Sequence, residues 1–334
     1  MTVQDVTLRY TGQNMSNLPQ VNLDKPRWDQ NTYWGRARYF FNTTNPVNLL
    51  ASSSKLDEAK KLVDDYKKKK DIPGKTLDDV WRAKDLVDSA FHPQTGEKMI
   101  IFGRMSAQVP MNVFITGAML TFYKSTPAVV FWQWFNQSFN AVVNYTNRSG
   151  GSPVDESLLI KSYCAATGSA VVTALSLNRL AKKAPPIFAR LVPFSAVAAA
   201  NMVNIPFMRN KEITDGLPVY DANNNLIGNS QKAAITGISM VVVSRIGMAT
   251  PGMIGIPVIL NYLERKGTIK HIKWAPNAIQ IGLLAVFLTF TTPMCCALFP
   301  QQTPIQITQL EPELQEVAKK FSPVPTVGYY NKGL

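Results

Sequence analysis

The sequence predicts an all-α protein, in which a soluble helical region precedes a multi-pass transmembrane bundle of about five helical spans. Charged residues are concentrated in the first 104 positions and become sparse after them. Between Trp274 and Leu310 there is no charged residue at all. Residues 278–299 form a continuous apolar stretch, and a helix needs about 20 such residues to cross ~30 Å of hydrocarbon. These observations predict a membrane protein.

Five stretches have the length and composition of membrane spans, and they cover residues 105–123, 158–178, 191–208, 233–263 and 276–299. Buried helices of soluble proteins rarely exclude charge over about 18 or more residues. The chain is therefore predicted to consist of a soluble helical region at 1–104, a transmembrane bundle at 105–300 and a C-terminal tail at 301–334.

The segment 125–147 is uncharged but amphipathic. Amide side chains recur along one side of it at helical spacing, at Gln133, Gln137, Asn140, Asn144 and Asn147, with Asn136 beside them. An unpaired amide in hydrocarbon costs on the order of several kcal/mol, so this side has to contact protein or water. With Pro127 near its start and Arg148 after its end, we predict an amphipathic helix that lies at the interface or lines a cavity, rather than a sixth span.

Two helices are predicted in the N-terminal region. The first is capped by Ser53 or Ser54. Its apolar face comprises Leu56, Ala59, Leu62, Val63 and Tyr66. It ends in the lysine run 67–70 before Pro73, and a second helix starts at Leu77. Because aspartates flank the lysine run, we interpret it as a solvated helix end and predict no nucleic-acid partner.

Basic residues in two short loops predict the orientation of the bundle. These loops follow the second and fourth spans and contain Arg179, Lys182, Lys183, Arg190, Arg265, Lys266, Lys270 and Lys273. Short basic loops remain on the compartment that is electrically negative. With five spans, the N-terminal region shares that side, and the C-terminal tail lies on the opposite side.

The sequence contains no arrangement typical of an enzyme or a cofactor site. It has neither a glycine-rich phosphate-binding loop nor a set of metal ligands, and no nucleophile is grouped with an acid and a base. Cys164, Cys295 and Cys296 all lie in predicted spans. We interpret the adjacent pair as small helix-facing residues rather than a redox or metal site. We therefore predict no catalytic residue, no metal and no cofactor.

Several strings of the sequence are long, ordered and specific. They include HPQTGEKM at 92–99, GRMSAQVPMN at 103–112, FWQW at 131–134, NYTNRSG at 144–150, CCALFP at 295–300 and the terminal NKGL at 331–334. Together these strings strongly resemble the sideroflexin family. The residues of the family signature are His92, Pro93, Thr95, Gly96 and Glu97. Gln94 stands where the family usually has Asp. We interpret the missing carboxylate as a turn cap rather than an ion ligand, and His92 as a turn residue.

The resemblance implies a multi-pass protein of the mitochondrial inner membrane. It is closest to the members numbered one and three, which implies transport of serine into the matrix for one-carbon metabolism, with alanine, glycine and cysteine as further substrates. The two basic loops then place the N-terminus in the matrix and the C-terminus in the intermembrane space. The implied partners are this small-molecule substrate and the lipid bilayer, and no oligomeric state is indicated.

Arg245 is the first candidate for binding the carboxylate of such a substrate. It lies near the middle of the span 233–263, where an arginine costs ~2.5–3.5 kcal/mol and should face a cavity or a partner. A structural ion pair, or a side chain that snorkels to the membrane interface, is the alternative. The residues predicted to break this helix after Arg245 are Gly247, Pro251, Gly252, Gly255 and Pro257. Many transporters expose backbone groups to substrate at such breaks, although a simple kink is an equal alternative.

Asparagines in two other segments are further candidates for the substrate pathway. Asn201 and Asn204 form an i, i+3 pair on the third span. Their amides supply both donors and acceptors to a zwitterion, and helix-to-helix hydrogen bonding is the alternative. The candidates in the amphipathic segment are Asn136, Asn140 and Asn144.

Two other functions are compatible with this sequence. One is an assembly or scaffold factor of the inner membrane that docks through its N-terminal region. The other is a carrier of citrate or of iron- or haem-related metabolites. Uptake of labelled serine by liposomes that contain the protein separates these hypotheses, because a scaffold produces no flux.

Overall fold

Helices form most of the chain, as the sequence predicts. The structure is a computed structural model that describes residues 21–70, 72–92, 95–123, 125–146, 156–181, 186–267 and 274–333. Its helices are α1 (Tyr33–Thr43), α2 (Ser53–Lys67), α3 (Leu77–Ala90), α4 (Gln108–Phe122), α5 (Thr126–Thr146), α6 (Glu156–Ala181), α7 (Pro186–Met208), α8 (Asn210–Asp215), α9 (Gln231–Thr250), α10 (Ile256–Lys266), α11 (Ala275–Cys296) and α12 (Pro312–Ala318).

The two predicted helices of the N-terminal region are α2 and α3, and α1 precedes them. Ser52, rather than the predicted Ser53 or Ser54, caps α2, because its extended backbone lets the side chain accept a hydrogen bond from the Lys55 amide at 3.2 Å. The buried residues of α2 are Leu56, Ala59, Val63 and Tyr66. Three of them pack against α3, around Val80 and Trp81.

Helices α4 to α11 form the bundle. Among the described residues, three helical segments are long and apolar enough to cross a membrane, namely Leu191–Met208, Gln231–Lys266 and Ala275–Cys296. They coincide with the last three predicted spans. The first two predicted spans correspond to α4 and α6, and their crossing of the membrane stays a prediction.

The helix after Arg245 does not break as predicted. A π-helical turn, Pro251–Gly255, joins α9 to α10, so the chain continues as one long helical segment. Pro251 lies at the first position of this turn, and Pro257 lies near the start of α10. Proline is tolerated there because the wider turn already lacks regular i to i−4 hydrogen bonds.

The amphipathic segment is the continuous helix α5, and it lies within the bundle. Near its start, Val129 packs with Ala174 of α6 and Ala196 of α7. Nearer its end, Phe139 packs with Met119 of α4. These contacts pack one face of α5 against other helices of the bundle, while apolar side chains elsewhere on the same helix, among them Phe131 and Trp134, are exposed.

An antiparallel sheet of four strands covers one end of the bundle, and the all-α prediction did not include it. The hairpin β1 (Leu217–Tyr220) and β2 (Leu226–Ser230) precedes α9. The strands β3 (Gln302–Gln306) and β4 (Val327–Asn331) belong to the C-terminal tail, and the order across the sheet is β2-β1-β4-β3. Such short strands give no clear alternation in the sequence, and distant segments pair to form this sheet.

The N-terminal region and the C-terminal tail lie at the same end of the bundle. The Tyr33 hydroxyl and the Arg36 Nε donate hydrogen bonds to the carbonyl oxygens of Met294 and Ala297, at 3.3 and 2.8 Å. Both carbonyls are at the end of α11, where the tail begins. The N-terminal region and the tail therefore share one end of the bundle, and the side of the membrane predicted for each of them stays a prediction.

Candidate substrate-binding site

The signature loop is held by hydrogen bonds within itself. The His92 amide donates to the Glu97 carbonyl at 2.8 Å, and the Gly96 amide donates to the His92 carbonyl at 2.9 Å. The His92 Nδ1 accepts from the Thr95 amide at 3.2 Å. Gly96 has a φ of +66°, which favours glycine. This geometry gives His92 and its neighbours a structural role in the loop.

The same loop is fastened to α2 by a lysine. Lys60 Nζ donates to the Gly96 carbonyl at 2.5 Å and lies 4.9 Å from the centre of the Phe91 ring. Pro93 and Gln94 lie outside the described residues, so the exchange of Asp for Gln stays untested. The loop belongs to the N-terminal region, whereas the other candidate residues lie in the bundle.

Amide side chains of α5 are buried inside the bundle. Gln133, Asn136 and Gln137 are at most 5% exposed, and Asn140 is half-buried. Gln133 Nε2 donates to the Tyr123 hydroxyl at 2.6 Å. Among the described residues, Gln133 Oε1 and Asn136 Nδ2 have no hydrogen-bond partner. Each such atom is a site at which a polar solute or water can bind at low cost. The side chain of Asn144 lies outside the described part of α5.

Helices α7 and α9 run in opposite directions along a shared interface. Ile205 of α7 lies in one apolar cluster with Ile238 and Val241 of α9. Deeper in the bundle, Val197 of α7 and Ala249 of α9 pack against a second apolar cluster. These two clusters fix the register of the two helices.

Asn201 and Arg245 lie between the two clusters. Positions four apart share a face of a helix. Asn201 is four residues after Val197 and four residues before Ile205 in α7. In the same way, Arg245 is four residues from Val241 and from Ala249. The register therefore brings Asn201 and Arg245 to one interface at about the same depth.

Arg245 carries a charge that no carboxylate neutralises. It is half-buried and, in the described part of the chain, makes no hydrogen bond or ion pair. The hydroxyl of its neighbour Ser244 is buried and unpaired as well. A guanidinium inside a bundle is costly unless a partner or ligand compensates it. The structural ion pair considered from the sequence is absent among these residues, which favours a ligand.

Asn204 and Asn136 extend this polar layer toward α5. Asn204 is 5% exposed and lies one turn from Asn201. Helices α5 and α7 run in the same direction, and Val129 packs with Ala196 near their starts. Asn136 lies about two helical turns after Val129 on α5, and Asn204 lies about two turns after Ala196 on α7. The two asparagines are therefore at a similar depth. The structure thus collects most of the predicted site residues into one layer of the bundle.

A second cation that the sequence analysis did not select lies beside this layer. Lys332 follows β4 and is 3% exposed. Its amide donates to the Gln301 carbonyl at 3.0 Å, and Arg209 Nη1 donates to the Lys332 carbonyl at 2.7 Å. The sequence marked this position only as part of the terminal NKGL string. Its burial depends on the tail sheet, which no local pattern predicts.

The fold and this layer define the class of the protein: it is a helical, membrane-type bundle with polar side chains enclosed in its interior. Among the described residues, no group of three or more His, Cys, Asp or Glu side chains could hold a metal ion. The arrangement offers hydrogen bonds and positive charge to a small solute.

Comparison with known proteins gives the family. The sequence model of the family Sideroflexins matches residues 22–334, so the chain belongs to this family. Sideroflexin-1-3 of Drosophila melanogaster is 54% identical over 321 residues, which are 96% of this chain and 100% of that protein. Human sideroflexin-1 is 54% identical over 316 residues, covering 95% and 98% of the two chains. Human sideroflexin-3 is 52% identical over 321 residues, covering 96% and 100%. No solved structure matches the chain.

Proposed function

We propose that this sideroflexin transports a small neutral amino acid, and serine first, across the mitochondrial inner membrane into the matrix. The observation that carries this proposal is the unneutralised Arg245 among buried amides within an apolar bundle. A structural scaffold gains nothing from a charge and unpaired amides in its interior, because each destabilises the fold. A carrier needs them for its substrate.

The chemistry of the layer matches an amino-acid zwitterion. The guanidinium of Arg245 offers two parallel donors to a carboxylate. The amide oxygens of Asn201 and Asn136 accept hydrogen bonds from an ammonium group without placing a fixed negative charge in the membrane. The unpaired Ser244 hydroxyl adds a further small polar group. Together these groups satisfy each charged end of the substrate separately.

The hydroxyl of serine provides the expected discrimination among small amino acids. A neutral hydrogen bond contributes ~0.5–1.5 kcal/mol, so alanine and glycine should bind roughly two- to tenfold more weakly than serine. Cysteine has a thiol of similar size that donates more weakly. We expect all three as secondary substrates of the same site.

The topology we propose has six crossings, with α5 as the additional one. Gln280 Nε2 near the start of α11 donates to Thr121 Oγ1 near the end of α4, at 2.9 Å, so these two helices run in opposite directions. Gly103, before α4, lies against Thr146 at the end of α5. Both contacts support a chain that begins and ends on one side. The two basic loops then face the matrix, and both chain ends face the intermembrane space.

Uptake by liposomes that contain the purified full-length protein tests the proposed function. Labelled L-serine should accumulate, and excess unlabelled L-serine should abolish the signal. Labelled citrate, assayed in parallel, should not be taken up. No flux of serine, or flux of citrate alone, would exclude the proposed function.

A further inference from the structure

Lys332 is inserted at the end of the bundle by the C-terminal tail. Lys332 directly follows strand β4, and Tyr330, two residues earlier, is 1% exposed. A Cβ on Gly237 of α9 would lie 3.4 Å from the Lys332 Cα, so the backbone of the tail rests closely on this helix. Hydrogen bonds from Lys332 to Gln301 and from Arg209 to Lys332 fix the segment in place.

The ammonium group of Lys332 is almost without partners. In the described part of the chain it donates one hydrogen bond, to the Gly333 carbonyl at 3.0 Å, although an ammonium has three donors. Among the described residues, no carboxylate forms an ion pair with it. The nearby Arg209 is already paired with Glu212. Arg36, by contrast, donates its hydrogen bonds to backbone carbonyls.

The charges that surround Lys332 are mostly positive. Burial lowers the pKa of Lys332 to about 8, the thiol of Cys296 opposes this shift, and the guanidiniums of Arg209, Arg36 and Arg245 reinforce it. Arg245 is therefore within electrostatic range of Lys332. Among the described residues no carboxylate neutralises either cation, and unneutralised cations inside a bundle are stabilised when an anion binds between them.

We propose that Lys332 and Arg245 form a two-cation site for the carboxylate of the transported solute, at the end of the bundle that the tail sheet covers. Arg245 lies two helical turns beyond Gly237, which corresponds to ~12 Å along the helix axis. Lys332 lies at the Gly237 end of this interval, where its Nζ donates a hydrogen bond to the Gly333 carbonyl. The carboxylate is attracted first by Lys332 and is then held by Arg245. This inference rests on the proposed function and adds a residue of the tail to its site.

The proposal has a direct consequence for pH dependence. Lys332 is charged below pH 8 and loses its charge above it, so carboxylate affinity falls as pH rises through this value. Arg245, Arg209 and Arg36 stay charged throughout, because a guanidinium does not lose its proton in a protein. The remaining group is the Cys296 thiol, whose ionisation would also weaken anion binding. A Cys296→Ser variant removes that second explanation.

Binding of 3-hydroxypropionate to the full-length protein in nanodiscs tests the proposal. This probe has the carboxylate and the hydroxyl of serine but no ammonium group, so its charge is constant between pH 7 and pH 9. For the wild type and Cys296→Ser, we expect the affinity to fall about tenfold from pH 7 to pH 9. This factor corresponds to the loss of one charge-assisted hydrogen bond.

Variants at Lys332 separate its charge from its role in folding. Lys332→Arg should retain the affinity at pH 9, because the guanidinium stays charged. Lys332→Gln should bind about tenfold more weakly at pH 7, with little change at pH 9. The matched control is Lys319→Gln, which removes an exposed lysine of the tail that pairs with Glu316. It should behave as the wild type does.

The outcomes are distinct. An unchanged affinity in Lys332→Gln at pH 7, or a wild-type fall of affinity between pH 7 and pH 9 in Lys332→Arg, overturns the proposal. Thermal unfolding without probe identifies any variant that has lost its fold. If Lys332→Gln does not fold, the affinity of Lys332→Arg at pH 9 tests the proposal. The assay does not depend on flux. If serine is not transported but the probe binds with this pH dependence, the carboxylate site stands and the proposed substrate fails.

Discussion

Arg36 in the first helix donates a hydrogen bond from Nε to the carbonyl oxygen of Ala297, a residue 261 positions later, at 2.8 Å. The same guanidinium donates from Nη1 to the Gln30 carbonyl at 2.9 Å. A buried arginine that joins the N-terminal region to the end of α11 fixes both at one end of the bundle. This contact supports the six-crossing topology that we propose.

The topology can be measured by labelling single cysteines. In a background without native cysteines, we place one at Ser54, one at Lys319 or one at Lys266, which are all exposed. In mitoplasts, an impermeant maleimide should label the first two positions. Lys266, at the end of α10, should be labelled only after detergent permeabilisation, because it lies at the other end of the bundle.

The comparison between positions 54 and 319 is decisive for the number of crossings. Equal accessibility supports an even number, whichever compartment they face. If the reagent reaches only one of the two positions in intact mitoplasts, the six-crossing topology is wrong. The five-span topology predicted from the sequence would then be supported. Labelling of all three would show that the mitoplasts were damaged.

Replacement of Arg245 tests the carboxylate site by transport. Arg245→Lys should raise the KM for serine about tenfold with a smaller change in Vmax, because lysine offers a point charge in place of a two-donor fork. Arg245→Ala should nearly abolish uptake. The control is the amount of folded protein in the membrane. Normal uptake by Arg245→Ala would leave the residue with a structural role only.

Asn136 tests whether the amides of α5 contribute to the pathway. Asn136→Leu should insert normally, because leucine is favoured in a membrane helix. It should lower serine uptake at least about fivefold, since the substrate loses one hydrogen bond. The matched control is Val130→Leu, an exposed position of the same helix. Equal uptake by both variants would contradict a role for this amide.

The contact between Gly103 and Thr146 predicts a large effect from one methyl group. A Cβ at Gly103 would overlap the Thr146 side chain, so Gly103→Ala should destabilise the protein by about 1–3 kcal/mol. Gly168→Ala is the control, because no atom lies within 4 Å of its added Cβ. Thermal unfolding in detergent measures both. Thr146→Gly, which removes the overlapping side chain, should restore part of the loss in the double variant. A Gly103→Ala variant as stable as the control would refute the close contact.

The stability of the N-terminal region should depend on Asp85. Burial raises the pKa of this carboxyl above its ordinary 3.8, the hydrogen bond from Asn42 opposes the shift, and Asp88 reinforces it. The folded state therefore holds this proton more tightly than the unfolded state does. This contribution to stability is present below pH 3.8 and is lost as pH rises through the folded pKa.

Asp85→Asn should remove that part of the pH dependence. Its amide oxygen still accepts from Asn42, which donates to Asp85 at 2.7 Å, so the variant should be at least as stable as the wild type at pH 7. Denaturation between pH 4 and pH 7 measures this. Asp215→Asn, at an exposed carboxyl of α8, is the control. A steeper loss of stability in Asp85→Asn would contradict the sign of the shift.

The positions of α2, α3 and the apolar helices could be read from the sequence, because each depends on local patterns. Spacing places Leu56, Ala59 and Val63 on one face of α2. Uncharged runs of about 20 residues indicate membrane helices wherever they stand. Arg245 and Asn201 were also selected from the sequence, since a polar group in an apolar run is conspicuous by itself.

What only the tertiary structure decided depends on contacts between distant segments. The tail sheet pairs Tyr220 with Tyr329, and no local propensity specifies a partner so far along the chain. The shared end of the two termini depends on Arg36 and Ala297, and the burial of Lys332 depends on β4. The sequence by itself thus determined which segments are helical and apolar. Long-range packing decided which segments meet at one end of the bundle, and that Lys332 is buried there.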